Sequence, residues 1–156
     1  MSDRKHGGKF QAYVCGFVFS SDFKTVLLIR KNRPDWQAGR LNGIGGHVED
    51  IDHNTAHAIS RECEEETGVF IPPSQWTLVV RTHFPLAQVD FFSVVWPSTS
   101  LREFKTITDE ALLVEDVAEL SETVLPNLNW LIPLCIYRNS SFGGTSISDV
   151  IHVHEN

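Results

Sequence analysis

The sequence predicts one mixed α+β sandwich domain over residues 1–156, and three observations carry that prediction. Strand-like segments come in runs on either side of one capped helix, and a second apolar helix follows. That order suits a mixed sheet with helices packed on it. The chain has 156 residues, 42% of them hydrophobic, which suffices for one compact core. No internal repeat and no low-complexity linker divides it.

The elements follow in order. Residues 1–8 are polar and read as a frayed, flexible end. "FQAYVCGFVFS", 10–20, is β-branched and aromatic and reads as a strand; the turn-like "SSDF" and a second strand, "TVLLIRK" at 25–31, complete a hairpin. "NRPDWQAGR", 32–40, is a loop punctuated by Pro and Gly. A short strand at 41–44 is expected to enter a turn at Gly45-Gly46. From about Asn54 to Thr67 the pattern is helical: Asn54 suits an N-cap, Gly68 suits the C′ position, and Ala56, Ile59 and Cys63 share a side. "WTLVVRTHF" and "VDFFSVVWP" read as two strands around a Pro-containing turn, and "ALLVEDV", 111–117, as another. "LPNLNWLIPLCIY", 125–137, is apolar enough for a closing helix, which Pro133 is expected to kink or stop early. The tail, 140–156, is Ser/Gly-rich and then alternates; it reads either as flexible or as an added edge strand.

Charge narrows the function. The formal net charge is −7, a poor match for a nucleic-acid polymer, which needs clustered Lys and Arg. A small anion remains a possible ligand when a cation stands between carboxylate and phosphate. No run of 18 apolar residues occurs, so no membrane span and no membrane partner are expected. The start, MSDRKHGGKF, lacks the apolar core of a secretion signal. Cys15, Cys63 and Cys135 are far apart and odd in number, and read as reduced core residues of a cytoplasmic protein.

Glu62, Glu64, Glu65 and Glu66 fall within five consecutive positions. On a helix, Glu62, Glu65 and Glu66 share one face, because residues three and four apart are neighbours; Glu64 points elsewhere. One reading is a solvated acidic face. The other is a divalent cation held by oxygen ligands, Mg²⁺ or Mn²⁺ rather than zinc, completing its shell with water and substrate phosphate.

The stretch "LNGIGGHVED IDHNTAHAIS RECEEETGV", 41–69, resembles the signature of the Nudix hydrolases, G-x5-E-x7-R-E-U-x-E-E-x-G-U, with U aliphatic. Arg61-Glu62, Cys63, Glu65-Glu66, Gly68 and Val69 match its second half position by position. The first half departs: Asp52 stands where the family has Glu, and one extra residue separates it from Arg61. Asp52 or Glu49 is then the partner of Arg61. The resemblance implies a Nudix-type α/β/α sandwich with a mixed β-sheet, and a Mg²⁺- or Mn²⁺-dependent nucleotide pyrophosphohydrolase. It also implies metal ligands at Glu62, Glu65, Glu66 and the Gly45 carbonyl, with Arg61 as brace. Members often add a distal Glu as ligand or base; Glu110 in "TITDEALL" is the best match, with Glu103 and Glu115 as rivals. The expected partner is a small nucleotide, and the chain is expected as a monomer or homodimer.

The signature leaves the substrate open. "GRLNGIGGHVE" is similar to the "W-N-G-x-G-G-K" form of enzymes that cleave oxidised purine nucleoside triphosphates such as 8-oxo-dGTP, with Leu41 and His47 in place of Trp and Lys. By that resemblance Asn42 reads a purine edge, its amide offering donor and acceptor side by side; otherwise it is a turn residue. Gly46 is expected against the phosphates, and Arg30, Lys31 and Arg33 either reach them or serve the surface. Phe84, Phe91, Phe92 and Trp96 supply a stacking wall or, by their alternation, pack the core. ADP-ribose, a dinucleoside polyphosphate, or nucleotide sensing without hydrolysis are the other functions the resemblance admits. A calcium loop beginning at Asp50 fails because Thr55 and Arg61 occupy the positions of its glycine and its bidentate glutamate. His53 and His57 have zinc spacing but no third ligand, and His152 and His154 are expected to be exposed.

Overall fold

Ten consecutive residues, Gln11–Ser20, form β1, the strand around which the sheet is assembled. Its alternate side chains enter two cores: Cys15, Phe17 and Phe19 on one face, Val14 and Val18 on the other. Both faces are apolar because both are covered. The computed structural model describes residues 8–140 and 150–156. Residues 1–7 and 141–149, on which most of the flexibility expected of the two ends rests, lie outside the described residues.

The other strands are β2 (Thr25–Arg30), β3 (Leu41–Asn42), β4 (Ile44–His47), β5 (Thr77–Phe84), β6 (Ala87–Trp96), β7 (Leu112–Asp116) and β8 (Ile151–His154). The hydrogen-bonded order is β3-β2-β1-β6-β5-β8, with β4 on β1 and β7 on β2. β1 and β6 run parallel, from Gln11 beside Ala87 to Ser20 beside Trp96. β5 and β8 are also parallel, whereas β1–β2, β1–β4 and β5–β6 are antiparallel. The sheet is mixed, as predicted.

Helix α1, Thr55–Thr67, covers one face and α2, Leu128–Asn139, the other. Ala58, Ile59 and Cys63 of α1 pack with Val14, Val18, Leu27, Ile29, Ile44 and Phe92. Leu128, Leu131, Ile132 and Cys135 of α2 pack with Phe17, Phe19, Val26, Leu28 and Phe91. The result is the α/β/α sandwich. The ends of α1 are set locally: Asn54 Oδ1 accepts from His57 N, and Gly68 adopts φ +80°, which favours glycine. The three cysteines are free and buried. Among the described residues, no helix is long and apolar enough to cross a membrane.

Two expectations are corrected, and of the two outcomes expected at Pro133 the early stop is excluded. The strand at 41–44 is two strands, β3 and β4, broken at Gly43. Gly45 and Gly46 are not a turn; they belong to β4 and pair with Cys15 and Val14 of β1. Pro133 lies inside α2 without ending it. The proline ring is exposed, and burial of Leu128, Leu131, Ile132 and Cys135 on the opposite face offsets the lost backbone hydrogen bond.

Candidate active site

α1 lies directly against β4, and the gap between them is closed to any side chain. A Cβ on Gly46 would lie 2.5 Å from Glu62 Oε1, and one on Gly45 would lie 1.9 Å from the Val14 carbonyl oxygen. The two glycines therefore bring bare backbone to the carboxylates of α1. Gly45 N–H donates to Glu66 Oε2 at 3.2 Å.

Arg61 organises the start of this site. Its Nε and Nη2 donate to Asp52 Oδ1 and Oδ2 at 2.9 and 2.8 Å, and Nη2 also donates to the His47 carbonyl. Nη1 donates to Glu62 Oε1 at 3.2 Å and Glu65 Oε2 at 3.1 Å. Asp52 is thus the brace, with Glu49 more distant at 3.9 Å. The Arg61 bond holds the Asp52 carboxyl below its usual range, and Asp52 in turn raises Arg61.

Glu62 and Glu66 are the strained charges. Burial pushes Glu62 up, with Arg61 opposing. Burial, and after it the Glu62 charge, pushes Glu66 up to about 7. Glu66 has no ion-pair partner among the described residues. Glu65, with 57% of its side chain exposed, shares Arg61 Nη1 with Glu62, so the guanidinium stands between these two carboxylates, while Glu66 bonds Gly45 N–H. Among the described residues, no three His, Cys, Asp or Glu side chains converge as they stand. The donor set nevertheless fits a hard divalent cation at Glu62 and Glu66: two half-buried, mutually repelling carboxylates beside side-chain-free backbone.

Glu110 is buried at the end of its loop and accepts from Lys31 Nζ at 2.9 Å and Asn32 N at 2.6 Å. Burial raises its carboxyl, but Asn32 N–H and Lys31 outweigh burial and hold it below the ordinary range. Next to it, Arg33 and Asp109 form a bidentate pair and Asn32 Nδ2 bonds the Asp109 carbonyl, so the 32–40 loop is clamped to the 109–110 loop.

A cleft of about 790 Å³ opens beside Gly45 and Gly46 on the α2 side of the sheet. Lys31, Arg33, Asn42 and Gly46 line it. Arg30 does not; it donates to the Gly39 carbonyl at 3.0 Å and steadies the loop. The Asn42 amide is already engaged: Oδ1 accepts from Gly43 N and Nδ2 donates to Gln37 Oε1. Phe84 and Phe91 line the cleft, whereas Phe92 is buried in the α1-side core and Trp96 packs edge-on against Phe104. Tyr13, Trp36, Gln37, Asn127 and Trp130 also line the cleft and were not singled out from sequence. No local spacing in the sequence marks them; in the structure Trp36 is 68% and Trp130 42% exposed.

The NUDIX domain model matches residues 9–129. Among solved structures, the chain is similar to MutT from the study of Aliivibrio salmonicida and Vibrio cholerae, with 22% identity, TM-score 0.66, and coverage of 83% of this chain and 99% of that one. It is similar to the NUDIX domain of Shewanella oneidensis NrtR, solved in complex with ADP ribose, with 15% identity, TM-score 0.67, and coverage of 89% and 94%. A NUDIX hydrolase from Nitrosomonas europaea gives 13% identity and TM-score 0.64 over 96% of this chain and 82% of that one. Identities this low speak for the fold alone. No curated protein matches. The family match, spanning β1 to β7, α1 and the carboxylates behind Gly45-Gly46, shows that the chain belongs to the NUDIX domain family and, with it, to the nucleotide pyrophosphohydrolases.

Proposed function

We propose that the protein hydrolyses a diphosphate linkage in a nucleoside triphosphate, preferably an oxidised purine deoxynucleotide, releasing the monophosphate and pyrophosphate. The observation that carries this reading is the pair Glu62 and Glu66, half-buried behind the side-chain-free backbone of Gly45 and Gly46, which line a nucleotide-sized cleft. Glu62 and Glu66 would hold a Mg²⁺ or Mn²⁺ ion, with the Gly45 carbonyl and with Glu65 once it leaves Arg61. When bound, such an ion neutralises phosphate charge and lowers the pKa of water.

The chain's own groups do the positioning. Arg61, fixed by Asp52 and the His47 carbonyl, orients Glu62. Glu110 holds Lys31 at the cleft wall, where its ammonium meets phosphate oxygens; Glu110 could join the cation only by releasing Lys31. Gly46 lets phosphate approach backbone. Trp36, Trp130 and Phe84 offer faces for a base. Asn127 makes no helix-capping bond, so its amide is free to pair with a purine edge, while Asn42 and Gln37 brace the floor beneath it.

The test is release of phosphate and pyrophosphate from 8-oxo-dGTP, the ordinary dNTPs, ADP-ribose and a dinucleoside polyphosphate, with Mg²⁺ and with EDTA. Metal-dependent cleavage of 8-oxo-dGTP ahead of the rest is expected. Preference for ADP-ribose would favour a second reading, supported by the likeness to a domain solved with that ligand. Binding across the panel without turnover would make the chain a nucleotide sensor.

A further inference from the structure

β8 is a four-residue edge strand held by parallel pairing with β5, Val80 beside Ile151 to His83 beside His154. Ile151 and Val153 turn inward onto the α2-side core. His152 and His154 turn outward, and His83 of β5 stands with them. The His83 ring stacks on His154 at 4.6 Å and on His152 at 5.1 Å, with planes within 14°. His83 Nε2 and His152 Nδ1 are 2.8 Å apart. A hydrogen bond between two imidazoles needs one bare nitrogen, so this pair accepts one proton and is broken by a second.

Among the described residues, the opposing charge that acts on His83 is that of Asp90, and it is already paired. Arg81 of β5 is the register neighbour of His152 and carries a positive charge of its own. Asp90 of β6 is saturated: it accepts from Arg81 Nε and Nη2 at 2.7 and 2.8 Å, from Gln88 Nε2, and from Thr55 Oγ1 of α1. Glu155 faces the cleft instead, and its N–H donates to the His83 carbonyl at 2.8 Å.

We propose that His83, His152 and His154 form a proton-sensitive latch that fastens the last strand to the sheet edge at neutral pH and releases it, with Glu155, in mild acid. Release would take one wall residue from the cleft. Burial, then the His154, His152 and Arg81 neighbours, holds His83 below its ordinary value. The folded strand therefore takes up its proton later than the unfolded one. The latch is at full strength above an ordinary histidine pKa of about 6.5 and weakens as pH falls through it. This inference does not depend on which nucleotide is cleaved.

The test is amide hydrogen exchange of the full chain, with rates corrected for intrinsic pH dependence. Between about pH 7.5 and about pH 5.5, protection at residues 152–155 should fall about tenfold or more relative to β1. In His83→Gln that pH-dependent fall should vanish. A constant ratio in the parent, or an undiminished fall in the variant, overturns the latch. NMR titration of the parent's imidazoles needs no variant: His83 should titrate below an unfolded histidine, and an ordinary titration of His83 would overturn the proposal.

Discussion

Asp52 is one residue further from Arg61 than the family signature expects, and its side chain is one methylene shorter than glutamate. The longer loop offsets the shorter side chain, and both carboxylate oxygens reach the guanidinium. Asp52→Ala should cost about 2–3 kcal/mol, the scale of hydrogen bonds to a charged group, read by chemical denaturation. The folded pKa of Asp52 is depressed, so its contribution is present above the unfolded value of about 3.9 and is lost as pH falls through the folded one. Below about pH 4 the gap between parent and Asp52→Ala should therefore narrow; a gap independent of pH would remove the ion pair as its cause. Glu65→Gln tests the site itself. The side chain is more than half exposed, so the fold should survive while turnover falls about 100-fold or more. Equal rates would deny Glu65 a role. At this scale the sequence yielded chemistry but not partners: it left Arg61 between Asp52 and Glu49, and it could not show that Gln37 and Gly43 occupy the Asn42 amide.

α1 was legible because its signals are local. Asn54 and Gly68 sit at its two ends, and the Ile59/Cys63 stripe faces the sheet as the spacing requires. α2 was less so, because the rule for Pro133 is local while the burial that overrides it comes from β1, β2 and β6. β4 carries the sharpest prediction among the elements. In Gly46→Ala the new methyl would meet the Glu62 carboxylate, the far end of a flexible side chain. Stability should change by less than about 1 kcal/mol, while activity falls at least about tenfold and the Mg²⁺ requirement rises. A variant that melts much earlier would place the glycine's importance in the strand rather than in the site.

Across the molecule, the sheet order and the cleft were the least legible features. The cleft gathers Tyr13, Lys31, Trp36, Asn42, Phe84, Asn127 and Trp130 from segments that no local spacing connects. The cation reading has a whole-molecule consequence. Mg²⁺ at about 100 times its Kd should stabilise the folded chain by about 2.7 kcal/mol, measured as a thermal shift. Glu66→Gln should abolish that shift and, in EDTA, melt higher than the parent, because a half-buried, repelled charge has gone. The same shift in the variant would move the cation elsewhere. The parallel pairing of β1 with β6 bears on how the chain is made. β1 cannot acquire that neighbour until residues 87–96 have been synthesised, well after α1 is complete. One edge of β1 thus waits for a partner distant in sequence, and loop closure over that distance slows the search. On the ribosome, the carboxylate-bearing helix would emerge with β1, β2 and β4 ready to receive it, whereas the cleft, which needs β5, β6 and α2, is among the last features the nascent chain acquires.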